Sequence, residues 1–181
     1  AAPVQSGLFA AQEGTVVAWV RRLLHTPTTT STAGFWALNP TNNSFHYPWT
    51  DGIIYDGSFI RDRLTVGTGL VTDRTQWHQV AVTRKAGTDG WIFYQNGRVV
   101  LVADGGVWQA PASTFKIGQS DSALYNFDGW FRSLQLYNRV LSAAELVQAY
   151  AEPYTFLLSQ SPSVKYFLPT ASAGIVPLRM L

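Results

Sequence analysis

The stretch from Phe127 to Leu146 constrains the fold more than any other part of the chain. A glycine turn at Gly129 leads into a segment that alternates between apolar and polar residues, and a helix start follows directly. Ser142 is a typical N-cap, and Glu145 three residues later completes a capping box, in which each residue's side chain satisfies the other's backbone N–H. The stretch therefore predicts a β-strand followed at once by a short, well-capped helix.

Alternation with a period of two residues dominates the rest of the chain, which indicates half-buried strands. Asn96-Gly97 is a strong hairpin signal, because a type I′ turn needs two consecutive residues at positive φ. The one predicted helix begins at Ala143 and ends near Tyr150, because Pro153 prevents its extension. The predicted strands are Thr15–Val20, Trp77–Arg84, Trp91–Gln95, Arg98–Val102 and Phe115–Gly118. Many short strands with one brief helix predict an all-β jelly-roll sandwich of two antiparallel sheets.

The composition narrows the classes of function. The formal net charge of the 181 residues is only +2, with the basic residues scattered, so we expect no nucleic-acid binding, which needs a concentrated basic surface. The chain has no cysteine, which excludes disulfides and thiolate metal sites. No apolar run approaches the roughly 20 residues that span a bilayer, so we expect no membrane insertion. Ala1 begins a segment without a basic leader, which predicts no signal peptide.

The C-terminal segment differs from the rest of the chain. Four prolines break residues 151–181 into short extended pieces, yet the segment carries many apolar residues. We therefore predict a domain at residues 1–150 and an extended apolar arm at 151–181. Such an arm either covers an edge of its own sandwich or adds a strand to a partner. The second alternative is favoured and predicts a homo-oligomer, with Phe156, Tyr166 and Phe167 as candidate contacts.

Catalytic groups are sparse. Glycoside hydrolysis needs two carboxyl groups that flank the scissile bond. The three glutamates of the chain are Glu13, Glu145 and Glu152, and none of them is one residue from an aspartate on a strand. The three histidines are far apart, and no G-x-S-x-G elbow is present. His78 lies in an apolar strand and is expected to be structural. The sequence predicts a protein that is not an enzyme and needs no cofactor, with an unusual glycanase as the distant alternative.

The loop at residues 45–51 is the candidate ligand site. It contains Phe45, Tyr47 and Trp49, whose faces could stack on sugar rings, and Asp51, which could accept hydrogen bonds from hydroxyl groups. The alternative is that these rings complete the core or contact a neighbouring subunit.

Several blocks of the sequence resemble, in order, laminin-G-like domains of the concanavalin A-like lectin/glucanase type. They are Gly14–Val20, Trp77–Arg84, Tyr94–Gly97, Ile117–Gly118 and Phe127–Leu146, and together they extend over roughly residues 10–150. The resemblance implies a concanavalin A-like jelly roll. It also implies binding or assembly more often than catalysis.

Calcium is an open alternative that this resemblance implies, because many laminin-G-like domains hold one ion with Asp or Asn oxygens at the sheet rim. The candidate loop contains Asp121 and Asp128, with Asn126 between them. The competing interpretation is that Asp128 and Gly129 form a simple turn. No ligand series of the D-x-D-x-D kind is present, so no metal-binding residues are assigned.

The residues after the helix carry a second resemblance. Ala151–Leu157 is similar to the N-P-W/Y-x-x-F tail of laminin-G-like proteins from phages and prophages, with Glu152 in place of Asn and Tyr154 in place of Trp. This implies a non-enzymatic phage structural protein, such as a capsid decoration protein on the virion surface, whose partners are other virion proteins or copies of itself. The alternative is an extracellular or cell-surface carbohydrate-binding module of the lectin type that uses the loop at 45–51.

Overall fold

A computed structural model describes residues 2–3, 13–24, 34–39, 43–47, 54–56, 63–64, 73–103, 114–119 and 125–154. The strands in chain order are β1 (Ala2–Pro3), β2 (Gly14–Arg22), β3 (Gly34–Asn39), β4 (Asn43–His46), β5 (Ile54–Asp56), β6 (Arg63–Leu64), β7 (His78–Arg84), β8 (Trp91–Gln95), β9 (Arg98–Ala103), β10 (Thr114–Ile117) and β11 (Gly129–Tyr137). One helix, α1 (Ala143–Ala151), follows in the described part of the chain.

Two antiparallel sheets make up the fold, so the predicted all-β sandwich with one short helix is confirmed. One sheet has five strands in the order β11-β2-β7-β8-β9, and the other has the order β1-β10-β3-β4-β5-β6. The five-stranded sheet contains most of the strands predicted from alternation, and their bounds differ from the predicted ones by one or two residues. It has β11 and β9 at its two edges.

Inward-facing side chains form the core between the sheets. On β7, Val80 and Val82 belong to this core and Ala81 belongs to a separate cluster on the outer face, as strand alternation predicts. Phe45 stacks on Trp36 of the adjacent strand with ring centroids 4.3 Å apart. We call the fully buried rings at the centre of the core the inner aromatic cluster, which consists of Phe35, Trp36, Phe45, Tyr47 and Phe93.

The predicted hairpin between β8 and β9 is confirmed. Asn96 has a φ of 51° and Gly97 a φ of 73°, as a type I′ turn requires. Glycine is needed at 97 for a second reason, because a Cβ there would lie 3.1 Å from the Cα of Val147 on α1. The hairpin and the helix therefore pack closely.

The helix covers part of the outer face of the five-stranded sheet. Its capping box forms as predicted, with Ser142 Oγ accepting from the Glu145 N–H at 3.3 Å and the Ser142 N–H donating to Glu145 Oε2 at 2.8 Å. Thr15 on β2 ties the entry segment down, since its hydroxyl donates to the Arg139 carbonyl at 2.8 Å and accepts from the Leu141 N–H at 2.9 Å. Apolar residues on both partners then pack together: Leu141 and Leu146 against Val17, Ala81 and Tyr94.

Some predictions fall outside the described residues. The arm beyond Tyr154 is one of them, and it contains Phe156, Tyr166 and Phe167. The division into a domain at residues 1–150 and an arm at residues 151–181 therefore stays a prediction.

Within the described part of the chain, α1 is much too short to cross a bilayer.

Candidate functional site

The length of α1 determines which part of the outer face stays open. The helix has nine residues and therefore rises about 13 Å, which equals the length of the four strand steps from Thr15 to Trp19. Its entry segment is bound to Thr15, and Tyr150 near its end stacks on Trp19 with ring centroids 5.6 Å apart and an interplanar angle of 5°. Among the described residues, no helix covers the outer face beyond Trp19.

Arg21 lies at the centre of this open region. It pairs across the sheet with Trp130 on β11, and its guanidinium carbon is 4.6 Å from the Trp130 ring centroid. On the other side, the pairing of β2 with β7 ends at Val20 and His78, and Trp77 directly precedes that last pair. Trp130 is 45% exposed and Trp77 is 40% exposed, so two indoles lie at the surface in this region.

A second pair of the same kind lies beside the first. The bulge between Phe131 and Ser133 on β11 leaves Arg132 exposed, and its guanidinium lies 4.8 Å from the ring centroid of Tyr154. Arg132 Nε also donates to the Tyr154 hydroxyl. We call these surface residues the aromatic–arginine patch, which consists of Arg21, Trp77, Trp130, Arg132 and Tyr154.

Unsatisfied polar atoms border the patch under the end of α1. Gln79 pairs across the sheet with Trp19 and is fully buried. In the part of the chain that the structure describes, neither atom of its side-chain amide nor the Trp19 indole Nε1 has a hydrogen-bond partner. Buried groups of this kind are usually satisfied by protein or by ordered water. Because these atoms are buried, they are inaccessible to a ligand bound at the patch.

The prediction that Phe45 and Tyr47 contact a ligand is wrong. Phe45 lies in β4, where it pairs with Trp36, and Tyr47 follows the end of that strand; both rings are 0% exposed. They cannot offer a face to a sugar, because they already pack within the inner aromatic cluster. Trp49 and Asp51 lie outside the described residues, and their contact with a ligand stays a prediction.

Tyr47 instead organises a buried polar cluster at one end of the core. The Arg22 Nη1 donates to its backbone carbonyl at 2.6 Å, Gln95 Nε2 donates to its hydroxyl, and Arg74 lies over its ring at 5.3 Å. Burial raises the pKa of Tyr47 to about 12 and lowers the pKa of Arg22 to about 10. Arg22 and Arg74 are at most 3% exposed, so this cluster closes the core and is inaccessible to a ligand.

His78 completes this cluster and is structural, as predicted from its apolar strand. Its ring centroid lies 5.5 Å from that of Tyr47, and its Nδ1 is 2.8 Å from the Gln76 carbonyl. Burial is the main reason that its pKa falls to about 4, and the positive charges of Arg74 and Arg22 lower it further. The histidine is therefore neutral at neutral pH. Its Nε2 has no hydrogen-bond partner among the described residues.

The candidate calcium loop is only partly described. Asp128 accepts a hydrogen bond from the Leu23 N–H through its backbone carbonyl at 3.1 Å, and Asn126 Oδ1 accepts from Gln119 at 3.1 Å. Asp121 lies outside the described residues. No group of three metal-binding side chains occurs among the residues that the structure describes.

The glutamates show no catalytic arrangement in the described ranges. Glu145 is held by the capping box and by Arg139, whose guanidinium is 2.6 Å from its Oε1. The hydrogen bond from Arg139 is the main reason that the pKa of Glu145 falls to about 2. Its role is therefore to fix the helix start.

Sequence reasoning missed the aromatic–arginine patch, although a signal for it was present. The alternation along β2 places Arg21 on the face opposite to the buried Val20. The same rule applied to β11 places Trp130 on that outer face. Phe45 and Tyr47 are likewise two residues apart, which is the spacing of neighbours on one face of a strand. Applied to those residues, the period of two would have favoured core over loop.

Several solved structures have a fold similar to that of this chain. Domain 4 of AbnA, a GH43 extracellular arabinanase from Geobacillus stearothermophilus solved with arabinotriose, aligns at a TM-score of 0.59 and 19% identity, over 78% of this chain and 68% of that one. The IT-sialidase CBM40 of Ruminococcus gnavus aligns at a TM-score of 0.54 and 15% identity, over 78% of this chain and 84% of that one. Trypanosoma rangeli sialidase in complex with 2,3-difluoro-KDN aligns at a TM-score of 0.53 and 20% identity, over 78% of this chain but only 23% of the much longer sialidase.

At these identities the structural matches show the fold alone. A comparison with curated proteins found no significant match. The protein family described as "Concanavalin A-like lectin/glucanases superfamily" matches this chain over residues 1–147, in agreement with the laminin-G-like blocks of the sequence. With most of its length matched and the two antiparallel sheets in place, the chain belongs to the concanavalin A-like lectin/glucanase superfamily.

Proposed function

We propose that this chain is a non-enzymatic, lectin-like module that binds glycans through the aromatic–arginine patch. The observation that carries the proposal is the exposure of two indoles: Trp130, which lies against the Arg21 guanidinium, and Trp77, which directly precedes β7. Sugar rings present flat C–H faces that stack on aromatic rings, and their hydroxyl groups need hydrogen-bond donors and acceptors nearby.

The patch is built to present its rings without rearrangement. Trp130 is held at the sheet edge by its ladder partner Arg21, and Tyr154 is held by Arg132. Binding then costs less conformational entropy, because these side chains are ordered in advance.

Structural relatives support the glycan class of ligand. One match is an arabinanase domain solved with arabinotriose, and another is a sialidase CBM40, a carbohydrate-binding module by its name. Their identities to this chain are 19% and 15%, so the ligand of this chain is proposed from the patch and the shared fold together.

The absence of catalysis is part of the proposal. Glu145 is committed to the helix cap and to Arg139. Release of reducing sugar from a panel of glucans, arabinans and sialosides would overturn it.

The test is a glycan panel probed with the wild type and two variants. Trp130→Ala removes one stacking face, and we expect its affinity for the best ligand to fall by about 10-fold or more, since truncation of an aromatic anchor in a binding site often costs about 2 kcal/mol. Val99→Ala is the matched control, because Val99 is 51% exposed on β9, the opposite edge of the same sheet. Equal affinities for all three proteins would place the site elsewhere.

A second candidate is the virion-surface role that the tail of the chain implies. Its support is the resemblance of residues 151–157 to phage laminin-G-like tails, in which Tyr154 takes the position of the tail aromatic. In this proposal the protein forms a homo-oligomer or binds other virion proteins through the arm. It is then located on the virion and not in the extracellular space or on the cell surface.

This second candidate is tested by the mass in solution of the full chain and of a chain that ends at Tyr154, which keeps the contact with Arg132. An oligomer that becomes a folded monomer on truncation supports assembly through the arm. Monomers in both cases rule out self-assembly by this segment.

A further inference from the structure

We infer that the glycan bound at the aromatic–arginine patch carries a carboxylate, as uronic acids and sialic acids do, and that Arg21 recognises that carboxylate. This inference rests on the proposed glycan-binding function and specifies the chemistry of its ligand. A neutral sugar needs stacking faces and modest hydrogen bonds, whereas this surface also holds two exposed guanidinium groups.

The surroundings of Arg21 leave its charge available. In the described part of the chain, its guanidinium contacts the Trp130 ring and makes no ion pair or side-chain hydrogen bond. A guanidinium held against an aromatic face keeps its N–H donors free at the edge of its plane. That edge matches the two oxygens of a carboxylate, which it can bind through two parallel hydrogen bonds.

Arg132 adds a second positive charge on the same surface. Its Nε is used by the Tyr154 hydroxyl, which fixes the side chain and leaves the two Nη groups for other partners. Arg132 lies two residues from Trp130 on β11, next to the bulge between Phe131 and Ser133.

No carboxylate on the two strands of the patch competes for these arginines. Neither β2 (Gly14–Arg22) nor β11 (Gly129–Tyr137) contains an aspartate or glutamate. Acidic residues occur only outside these two strands, at Asp73 before Trp77, at Asp128 before β11 and at Glu152 before Tyr154. The two exposed arginines on β2 and β11 are complementary in charge to an anion on a ring that can stack. Charge complementarity of this kind contributes specificity as well as rate of association.

The test compares ligands that differ only in charge. Polygalacturonate and its fully methyl-esterified form share one backbone, and 3′-sialyllactose and its methyl ester form a second pair that distinguishes sialic acid from uronic acid as the source of the carboxylate. We measure affinity at physiological salt with the full-length wild type, with Arg21→Gln and with Arg132→Gln. Arg98→Gln is the matched control, since Arg98 is exposed on the opposite edge strand.

We expect one acidic ligand to bind at least about 10-fold more tightly than its neutral counterpart, because hydrogen bonds to a charged group contribute roughly 1.5–3 kcal/mol. Arg21→Gln should abolish that preference, Arg132→Gln should reduce it, and Arg98→Gln should have no effect. Equal binding of acidic and neutral ligands that still depends on Trp130 would overturn the inference and leave the proposed function intact. No binding of any glycan would refute both.

Discussion

The inner aromatic cluster and the aromatic–arginine patch use the same kinds of side chain for opposite purposes. In the cluster, the rings of Trp36 and Phe45 stack 4.3 Å apart and are fully buried. In the patch, Trp77 is 40% exposed, and Trp130 is 45% exposed and lies against Arg21 in place of another ring. The difference arises from position in the sheet, since one set faces the second sheet and the other lies beyond the end of α1.

This contrast shows that aromatic content alone does not locate a ligand site. A chain with 14% aromatic residues must bury most of its rings to form a core. The rings that remain exposed are informative when they occur together and are held by specific contacts. Here those contacts are with arginine, and a hydrophobic core has no need for them.

The largest effect expected in this comparison is the loss of a ring from the cluster. Phe45→Ala should lower the free energy of unfolding by about 3–5 kcal/mol, because it leaves a cavity among fully buried rings. Trp130→Ala is the control and should change it by about 0.5 kcal/mol or less, since surface substitutions rarely do more. Denaturation by urea measures both, and similar losses in the two variants would erase the distinction between the regions.

Acid should weaken the buried end of the core before it affects the patch. The pKa of His78 falls from 6.5 to about 4 on folding, so the unfolded chain binds more protons between these values, and stability rises with pH across that window. The stabilisation is complete above pH 6.5, and about 3 kcal/mol of it is lost as pH falls to 4. We expect His78→Gln to remove this dependence. Unfolding curves of both proteins at pH 7.5 and 4.5 measure this. If the wild type and the variant lost the same free energy of unfolding between the two pH values, the burial of a neutral histidine would be contradicted.

Gly129 lies at the start of β11 and links the two regions. A Cβ at this position would collide with the Arg21 carbonyl oxygen and lie 2.9 Å from the Cα of Arg22. Gly129→Ala should therefore destabilise the fold by about 1–3 kcal/mol and displace Trp130 from Arg21. Gly87→Ala serves as a contrast, because nothing lies within 4 Å of its Cβ and only its positive φ opposes the change. A Gly129→Ala protein with unchanged stability and unchanged glycan affinity would show that the close approach of β11 and β2 is unimportant.

The smallest effect concerns the helix that borders the patch. Ser142→Ala removes the capping box and should cost about 1 kcal/mol of stability. Because α1 brings Tyr150 onto Trp19, fraying of the helix should also loosen the margin of the patch. Hydrogen exchange of the α1 amides measures the change, with Ser133→Ala on β11 as a hydroxyl control outside the cap. Unaltered exchange in α1 would mean that packing of Leu146 suffices to hold the helix.

The sequence predicted those features that depend on local chemistry. The capping box of Ser142 and Glu145, the turn at Asn96-Gly97 and the strands of the five-stranded sheet all follow from propensity and period. The location of the patch depends instead on the place where α1 ends, which is set by the bond between Thr15 and Leu141. That contact joins residues 126 positions apart, so no local pattern could show it.

The prediction that Phe45 and Tyr47 contact a ligand was wrong for a related reason. The aromatic residues suggested a sugar-binding loop, whereas pairing of β4 with β3 and β5 draws Phe45 into the core. Pairing between strands is decided by the whole fold, and a short aromatic strand resembles a loop in sequence.

The most direct test of the account uses the indole N–H signals of the seven tryptophans, assigned by single Trp→Phe variants, in a titration with the best-bound glycan. The account predicts that the signals of Trp77 and Trp130 shift with ligand concentration and that those of Trp36 and Trp91 stay fixed in the core. A shift centred on Trp49, with Trp77 and Trp130 unmoved, would contradict it and return the binding site to the loop at residues 45–51.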